Sequence, residues 1–125
     1  MKLLIVEDNP DMRELLGFIV KRLGYIPVLA IHGKEGVEKA IAEKPKLILM
    51  DMMMPVMDGW QAAQALRANP ETKDIPILAT TVLLASSEAK TFLQAGCNGY
   101  IVKPFTVQEL RRKIAELVVS PLGTV

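Results

Sequence analysis

Five short apolar runs, each followed by a segment with helical spacing, constrain this chain more than anything else in it. The runs are LLIV (3–6), IPVLA (26–30), LILM (47–50), IPILAT (75–80) and GYIV (99–102). In the first intervening segment, Met12, Leu15, Leu16, Ile19, Val20 and Leu23 recur at the spacing of one helical face. Asn9 supplies the N-cap, Pro10 suits the first helical position and Gly24 the C-terminal stop. The last segment opens with TVQE, where Thr106 and Glu109 have capping-box spacing. Val107, Leu110, Ile114, Leu117 and Val118 form its apolar stripe. Three less sharply periodic helices are predicted at about 33–44, before Pro45, at about 59–68, after Asp58, and at about 87–95, before Gly96. This alternation predicts an α/β domain with a parallel sheet. The near-continuous apolar strands require cover on both faces. Pro27 inside the second run places that strand at a sheet edge, and Pro76 is tolerated near a strand start.

The 125 residues suffice for one domain with a real core, read as 1–120 with a loosely held tail at 121–125. A net charge of +1 gives no basic surface for nucleic acid. No apolar run reaches the roughly 20 residues that span a bilayer, and Lys2 before LLIV does not make a signal peptide. Cys97 is the single cysteine, so there is no internal disulfide and no Cys/His metal cluster. A soluble cytoplasmic protein is the expectation. His32 has no visible partner and receives no role, and Cys97 reads as an idle buried thiol.

In open parallel sheets, ligands bind beyond the carboxyl ends of the strands. The first run is followed by Glu7 and Asp8, and the third by Asp51. The fourth ends in Thr80 and Thr81, and the fifth is followed by Lys103 and Pro104. Three carboxylates, a hydroxyl and an amine are therefore predicted on one rim. An aspartate closing an apolar strand is costly unless it is paired or coordinated. Clustered carboxylates repel, so a cation must neutralise them or one must hold a proton. All-oxygen donors with room for water suit Mg²⁺. A lysine and a hydroxyl opposite the metal can hold an anion, an arrangement that recurs in phosphoryl transfer. A carboxylate nucleophile then yields an acyl phosphate, and Asp51 is placed to receive the phosphoryl group. Strand alternation sends Thr80 and Thr81 to opposite faces, and both are candidates for the hydroxyl. Asp58 and Gly59 read as a helix start, Trp60 as packing or surface cover, and Met52, Met53 and Met54 as loop packing rather than ligands of a hard ion.

The pieces LLIVEDN, LILMDMMMPVMDGW, IPILATT and GYIVKPF, in this order from residue 3 to about 105, make the chain resemble the receiver domain of two-component response regulators. The resemblance implies a single doubly wound (βα)5 flavodoxin-like domain, with strand order 2-1-3-4-5 carried over from the family rather than read from the residues. It implies Asp51 as phosphoacceptor, Asp8 as a direct Mg²⁺ ligand, Glu7 acting directly or through a metal-bound water, and the Met53 carbonyl as a further ligand. Lys103 pairs with the carboxylates and then with the phosphoryl oxygens. Thr81 is selected as the hydroxyl donor, Tyr100 as the switch aromatic, and the Lys103–Pro104 bond as cis. The implied donor is a histidine kinase or phosphotransfer protein. Output goes to a protein partner through the face of the fourth predicted helix, fifth strand and last helix, from a monomer or weak dimer. No DNA-binding module is present, and no turnover is implied beyond self-phosphorylation and autodephosphorylation. Met53 and Leu83, two residues past the nucleophile and the threonine, are bulky and apolar, and Val82 stands where the family usually has alanine, which implies slow loss of the phosphoryl group. The alternative is a Mg²⁺-dependent phosphohydrolase with an aspartyl nucleophile. Those enzymes carry a second acid where this chain has Met53, and no Gly-rich phosphate loop is present.

Overall fold

The computed structural model describes residues 1–53, 58–82, 91 and 93–118. Its strands are β1 (Lys2–Val6), β2 (Ile26–Ala30), β3 (Leu47–Asp51), β4 (Ile77–Thr81) and β5 (Gly99–Val102). The helices between and after them are α1 (Pro10–Arg22), α2 (Gly33–Glu43), α3 (Gly59–Ala68) and α4 (Val107–Leu117). All strand pairs are parallel, in the order β2-β1-β3-β4-β5. The central β3 is buried at every residue, whereas β2 lies at the edge, as Pro27 requires.

Alternation along the strands splits the core in two. Leu4, Val6, Ile48, Met50 and Ala79 face α2 and α3, where they meet Ala40, Ala62, Ala63 and Leu66. Leu3, Ile5, Leu49, Leu78 and Ile101 face α1 and α4, against Leu16, Val20, Leu110 and Ile114. The helix ends follow the local signals. The Asn9 side chain accepts from the Met12 N–H at 3.0 Å, Gly24 takes φ 99° just past α1, and Thr106 and Glu109 close a capping box.

Three expectations shift. β4 begins at Ile77, not 75, because Pro76 has no N–H to give the ladder; its carbonyl still accepts from Ile48 at 2.9 Å. His32 does have a role: its Nδ1 accepts from the Glu35 N–H at 3.1 Å and caps α2. Met53 is 69% exposed and does not pack its loop. Of the helix predicted at about 87–95, Thr91, Leu93 and Gln94 are helical, and the rest of its start lies outside the described residues. Met54 and the tail at 121–125 also lie outside them.

The half-buried Arg67 near the end of α3 ties three connections together. Its guanidinium donates to the carbonyls of Gly96 (2.9 Å), Lys73 (3.0 Å) and Ile75 (2.8 Å), and to Asn98 Oδ1 (2.7 Å). Gly96 has φ 108°, and a Cβ there would stand 2.6 Å from Arg67 Cγ, so the glycine makes room for the arginine. Burial depresses the Arg67 pKa and pushes the neighbouring Cys97 thiol up to about 11, so this cysteine is inert. Lysine has one charged nitrogen and no planar fork. Arg67→Lys is therefore expected to cost about 1 kcal/mol by leaving part-buried carbonyls without their donors, measured as a fall in urea unfolding free energy. An unchanged midpoint and slope would show the fork to be incidental.

Candidate functional site

The C-terminal ends of β1, β3, β4 and β5 open on one rim. Glu7 follows β1, and Asp51 is the last residue of β3; they are only 2% and 7% exposed. Asp8 lies beside them and is exposed. Carboxylate oxygens of Glu7, Asp8 and Asp51 lie within 4.8 Å of one another. Lys103 reaches in from beyond β5, placing Nζ 3.1 Å from Glu7 Oε1 and 3.5 Å from Asp51 Oδ2. Only the first of these is a hydrogen bond. The Lys103–Pro104 peptide is cis, as the resemblance implies.

Backbone groups fix the acids. The Met53 N–H donates to Asp51 Oδ1 at 3.0 Å, and the Asn9 N–H donates to Glu7 Oε2 at 3.1 Å. Arg13 on α1 donates to the Glu7 carbonyl at 2.9 Å and the Asp8 carbonyl at 3.3 Å, holding the acidic turn by its backbone and leaving the carboxylates free to point at the rim. Burial raises the Glu7 pKa above the ordinary carboxylate range, and the Asp51 charge adds to the rise; the Asn9 N–H and Lys103 act against it. A buried acid beside a like charge is thus met, among the described residues, by the Lys103 ammonium and by the Arg13 guanidinium on the backbone of the turn.

The two threonines divide between the faces. Thr80 stands in register with Asp51 and Ile101, on the side of α1 and α4. Thr81 falls on the side of Ala79 and Tyr100 by alternation. Both are buried. Tyr100 is half-buried against the α2/α3 core, with the Lys113 ammonium 5.8 Å from its ring centre. Val82 is exposed at the rim, and Leu83 lies outside the described residues.

Two contributors escaped the sequence reading. Arg13 is one; a base in the first turn after an acidic pair is the signal that was available. The other is Gly59. Read only as part of a helix start, it brings α3 hard against the end of β3: a Cβ there would stand 2.6 Å from both Met52 Cα and Sδ and 2.8 Å from the Asp51 carbonyl oxygen. Asp58 caps the same helix through Gln61, and Trp60 packs against the adjoining core.

A family model described as the response regulator receiver domain matches residues 3–115. The chain belongs to the response regulator receiver family. This receiver is 43% identical over 116 residues to chemotaxis protein CheY1 of Helicobacter pylori, covering 91% of this chain and 94% of that protein. It is 38% identical over 125 residues to the CheY homolog of Campylobacter jejuni, covering 98% and 96%. Among solved structures, the receiver domain of sensor histidine kinase PA1611 from Pseudomonas aeruginosa superposes with a TM-score of 0.88 at 34% identity, covering 95% of this chain and 98% of that one. That structure holds a magnesium ion coordinated in its active-site cleft. The receiver is thus a phosphoryl acceptor of two-component signalling, a switch that works between histidine kinases and downstream targets. The phosphohydrolase alternative gains no support from this family or these relatives. No described helix is long and apolar enough to cross a membrane.

The close approach at Gly59 makes a prediction of definite sign. Alanine in place of glycine raises helix propensity by about 1 kcal/mol, but here the added methyl meets backbone that cannot rotate away, and overpacking costs about 1–3 kcal/mol. Gly59→Ala is therefore expected to lower stability and to shift the Asp51 and Met52 amide resonances. A variant at least as stable as wild type, with those resonances unmoved, would contradict the packing described.

Proposed function

We propose that Asp51 is the phosphoacceptor of this receiver. The observation that carries the reading is the convergence of the Lys103 ammonium and the Glu7, Asp8 and Asp51 carboxylates on one rim, with Asp51 at the end of a wholly buried strand. The donor set fits Mg²⁺: it is all oxygen, it is crowded enough to need a cation, and its members come from the turn after β1 and the end of β3. Asp8 and Asp51 would hold the ion directly with the Met53 carbonyl, and Glu7 directly or through water. When bound, Mg²⁺ would offset the carboxylate repulsion and the charge of the incoming phosphoryl oxygens.

In the proposed transfer, one Asp51 carboxylate oxygen forms a bond to phosphorus as the phosphorus–nitrogen bond of a phosphohistidine breaks. The electron pair stays with the imidazole, which takes a proton from solvent. The donor is a histidine kinase or phosphotransfer protein. The Met53 N–H keeps Asp51 oriented through Oδ1. Lys103, already within 3.5 Å of Oδ2, follows the phosphoryl oxygens, and the Thr81 hydroxyl donates to them. Thr81 and Tyr100 share one face of the sheet, so movement of the threonine frees space on the tyrosine's side. Tyr100 then alters the surface of the predicted helix at about 87–95, β5 and α4, where a protein partner reads the state. The reaction is a single labelling event followed by autodephosphorylation, carried out in the cytoplasm by a monomer or weak dimer.

Incubation with acetyl phosphate, read by intact mass, tests the assignment. Wild type is expected to gain one phosphate only with Mg²⁺, and Asp51→Asn none, while keeping its fold by circular dichroism. Labelling of Asp51→Asn to the wild-type level would overturn it. Release of free phosphate from phosphomonoesters over many turnovers would favour the hydrolase.

The lifetime of the acyl phosphate depends on water reaching it in line. Met53 stands at the rim with an apolar side chain, 69% exposed, and has only a weak acceptor with which to orient water; Leu83 has none. The double variant Met53→Asn with Leu83→Glu is expected to shorten the phosphoryl half-life by about tenfold, the scale of one hydrogen bond to the attacking water. An unchanged half-life, at the same Mg²⁺ and without a phosphatase, would refute water exclusion.

A further inference from the structure

Thr80 carries a hydroxyl with no hydrogen-bond partner among the described residues. The residue is 1% exposed, and among the described residues its Oγ1 is the buried side-chain oxygen without a hydrogen-bond partner. A buried, unpaired hydroxyl is unfavourable, and a valine of the same shape would avoid it. Its position is informative. Thr80 pairs in register with Asp51 on one side and Ile101 on the other, so the three side chains share the α1/α4 face.

Lys103 lies two residues beyond Ile101. Its N–H donates to the Thr81 carbonyl, at 2.6 Å, so the last ladder bond between β4 and β5 ends on the lysine. From there its ammonium reaches Asp51 on β3 and Glu7 after β1. A side chain that starts beside β4 on one flank and ends on the other crosses the end of that strand. The orphan hydroxyl therefore lies at the strand end crossed by the only ammonium that the described residues bring to the carboxylates.

In the geometry seen here, Glu7 is the hydrogen-bond acceptor for that ammonium. Once Glu7 and Asp51 turn to a divalent cation, the lysine loses its acceptor and is repelled by the new charge. An ammonium has three donors and accepts nothing, whereas a hydroxyl offers two acceptor lone pairs. We propose that Thr80 is a positioning residue for Lys103: its hydroxyl accepts a hydrogen bond from the displaced ammonium and keeps it over the rim, ready for the phosphoryl oxygens. In the geometry seen here the hydroxyl has no partner because the ammonium is held by Glu7. This inference rests on the Mg²⁺ reading of the site.

The test is Mg²⁺ titration by calorimetry, with thermal midpoints measured in metal-free buffer. Thr80→Val is expected to bind Mg²⁺ about tenfold more weakly, the scale of one charge-assisted hydrogen bond, while its metal-free midpoint is equal to or above that of wild type. Thr80→Ser keeps the hydroxyl and is expected within about twofold of wild type. In a Lys103→Met background, Thr80→Val is expected to change Mg²⁺ affinity by less than about twofold, because the group it positions is gone. Wild-type affinity in Thr80→Val, or an equal loss with and without Lys103, would overturn the proposal. Should Thr80→Val fail to fold, the Thr80→Ser and Thr80→Ala pair carries the same comparison. Failure of the wild-type chain to bind Mg²⁺ would remove the metal reading and this inference together; normal wild-type binding with a silent Thr80→Val would remove this inference alone.

Discussion

Charge repulsion at the ends of the strands is the constraint around which the rim is organised. The oxygens of Glu7, Asp8 and Asp51 lie within 4.8 Å of one another, and two of the three residues are buried. At that separation each ionised pair opposes folding by about 3–4 kcal/mol at an effective dielectric of about 20. Lys103 meets two of them, and backbone N–H groups of Asn9 and Met53 accept part of the load. Among the described residues, Lys103 is the ammonium that reaches these carboxylates, while the Arg13 guanidinium sits on the backbone of the same turn. Burial is the main cause of the raised Glu7 pKa, and the Asp51 charge adds to it. Folding tolerates the conflict because the parallel register of β1, β3 and β4, cemented by two apolar cores, leaves these residues nowhere else to go.

Most of this site was legible before any coordinates. Residues that end apolar strands are conspicuous when they are charged, and the rule that ligands bind beyond strand carboxyl ends gathers Glu7, Asp8, Asp51 and Lys103 without an alignment. The α1 and α4 caps were also local: Asn9 and Thr106 act on residues three positions away. Strand order was not legible from periodicity, because nothing in a run such as LILM says which neighbour it will have; it came with the family resemblance. Arg67 was missed for the same reason. Its acceptors sit up to 31 residues away in sequence, at Asn98, and only the tertiary fold brings them together. His32 was missed because histidine is an uncommon cap, and Gly59 because a close approach between helix and strand leaves no mark in either element alone.

The last two residues of β4 point to opposite faces of the sheet. Thr80 faces α1 and α4 beside Asp51, and Thr81 faces the side of Tyr100. One pleat step separates them, so a displacement of the β4 end moves both groups in opposite sheet faces at once. In the proposed mechanism, phosphoryl transfer draws the Thr81 hydroxyl and the Lys103 ammonium to the same oxygens from these two faces. The lysine belongs to the segment that follows β5, the strand that carries Tyr100, and its backbone N–H is bonded to the Thr81 carbonyl. A pull on Lys103 and a pull on Thr81 therefore act on a single hydrogen-bonded pair of strands. In that mechanism, the linkage would tie the rim to the tyrosine through the β4–β5 ladder.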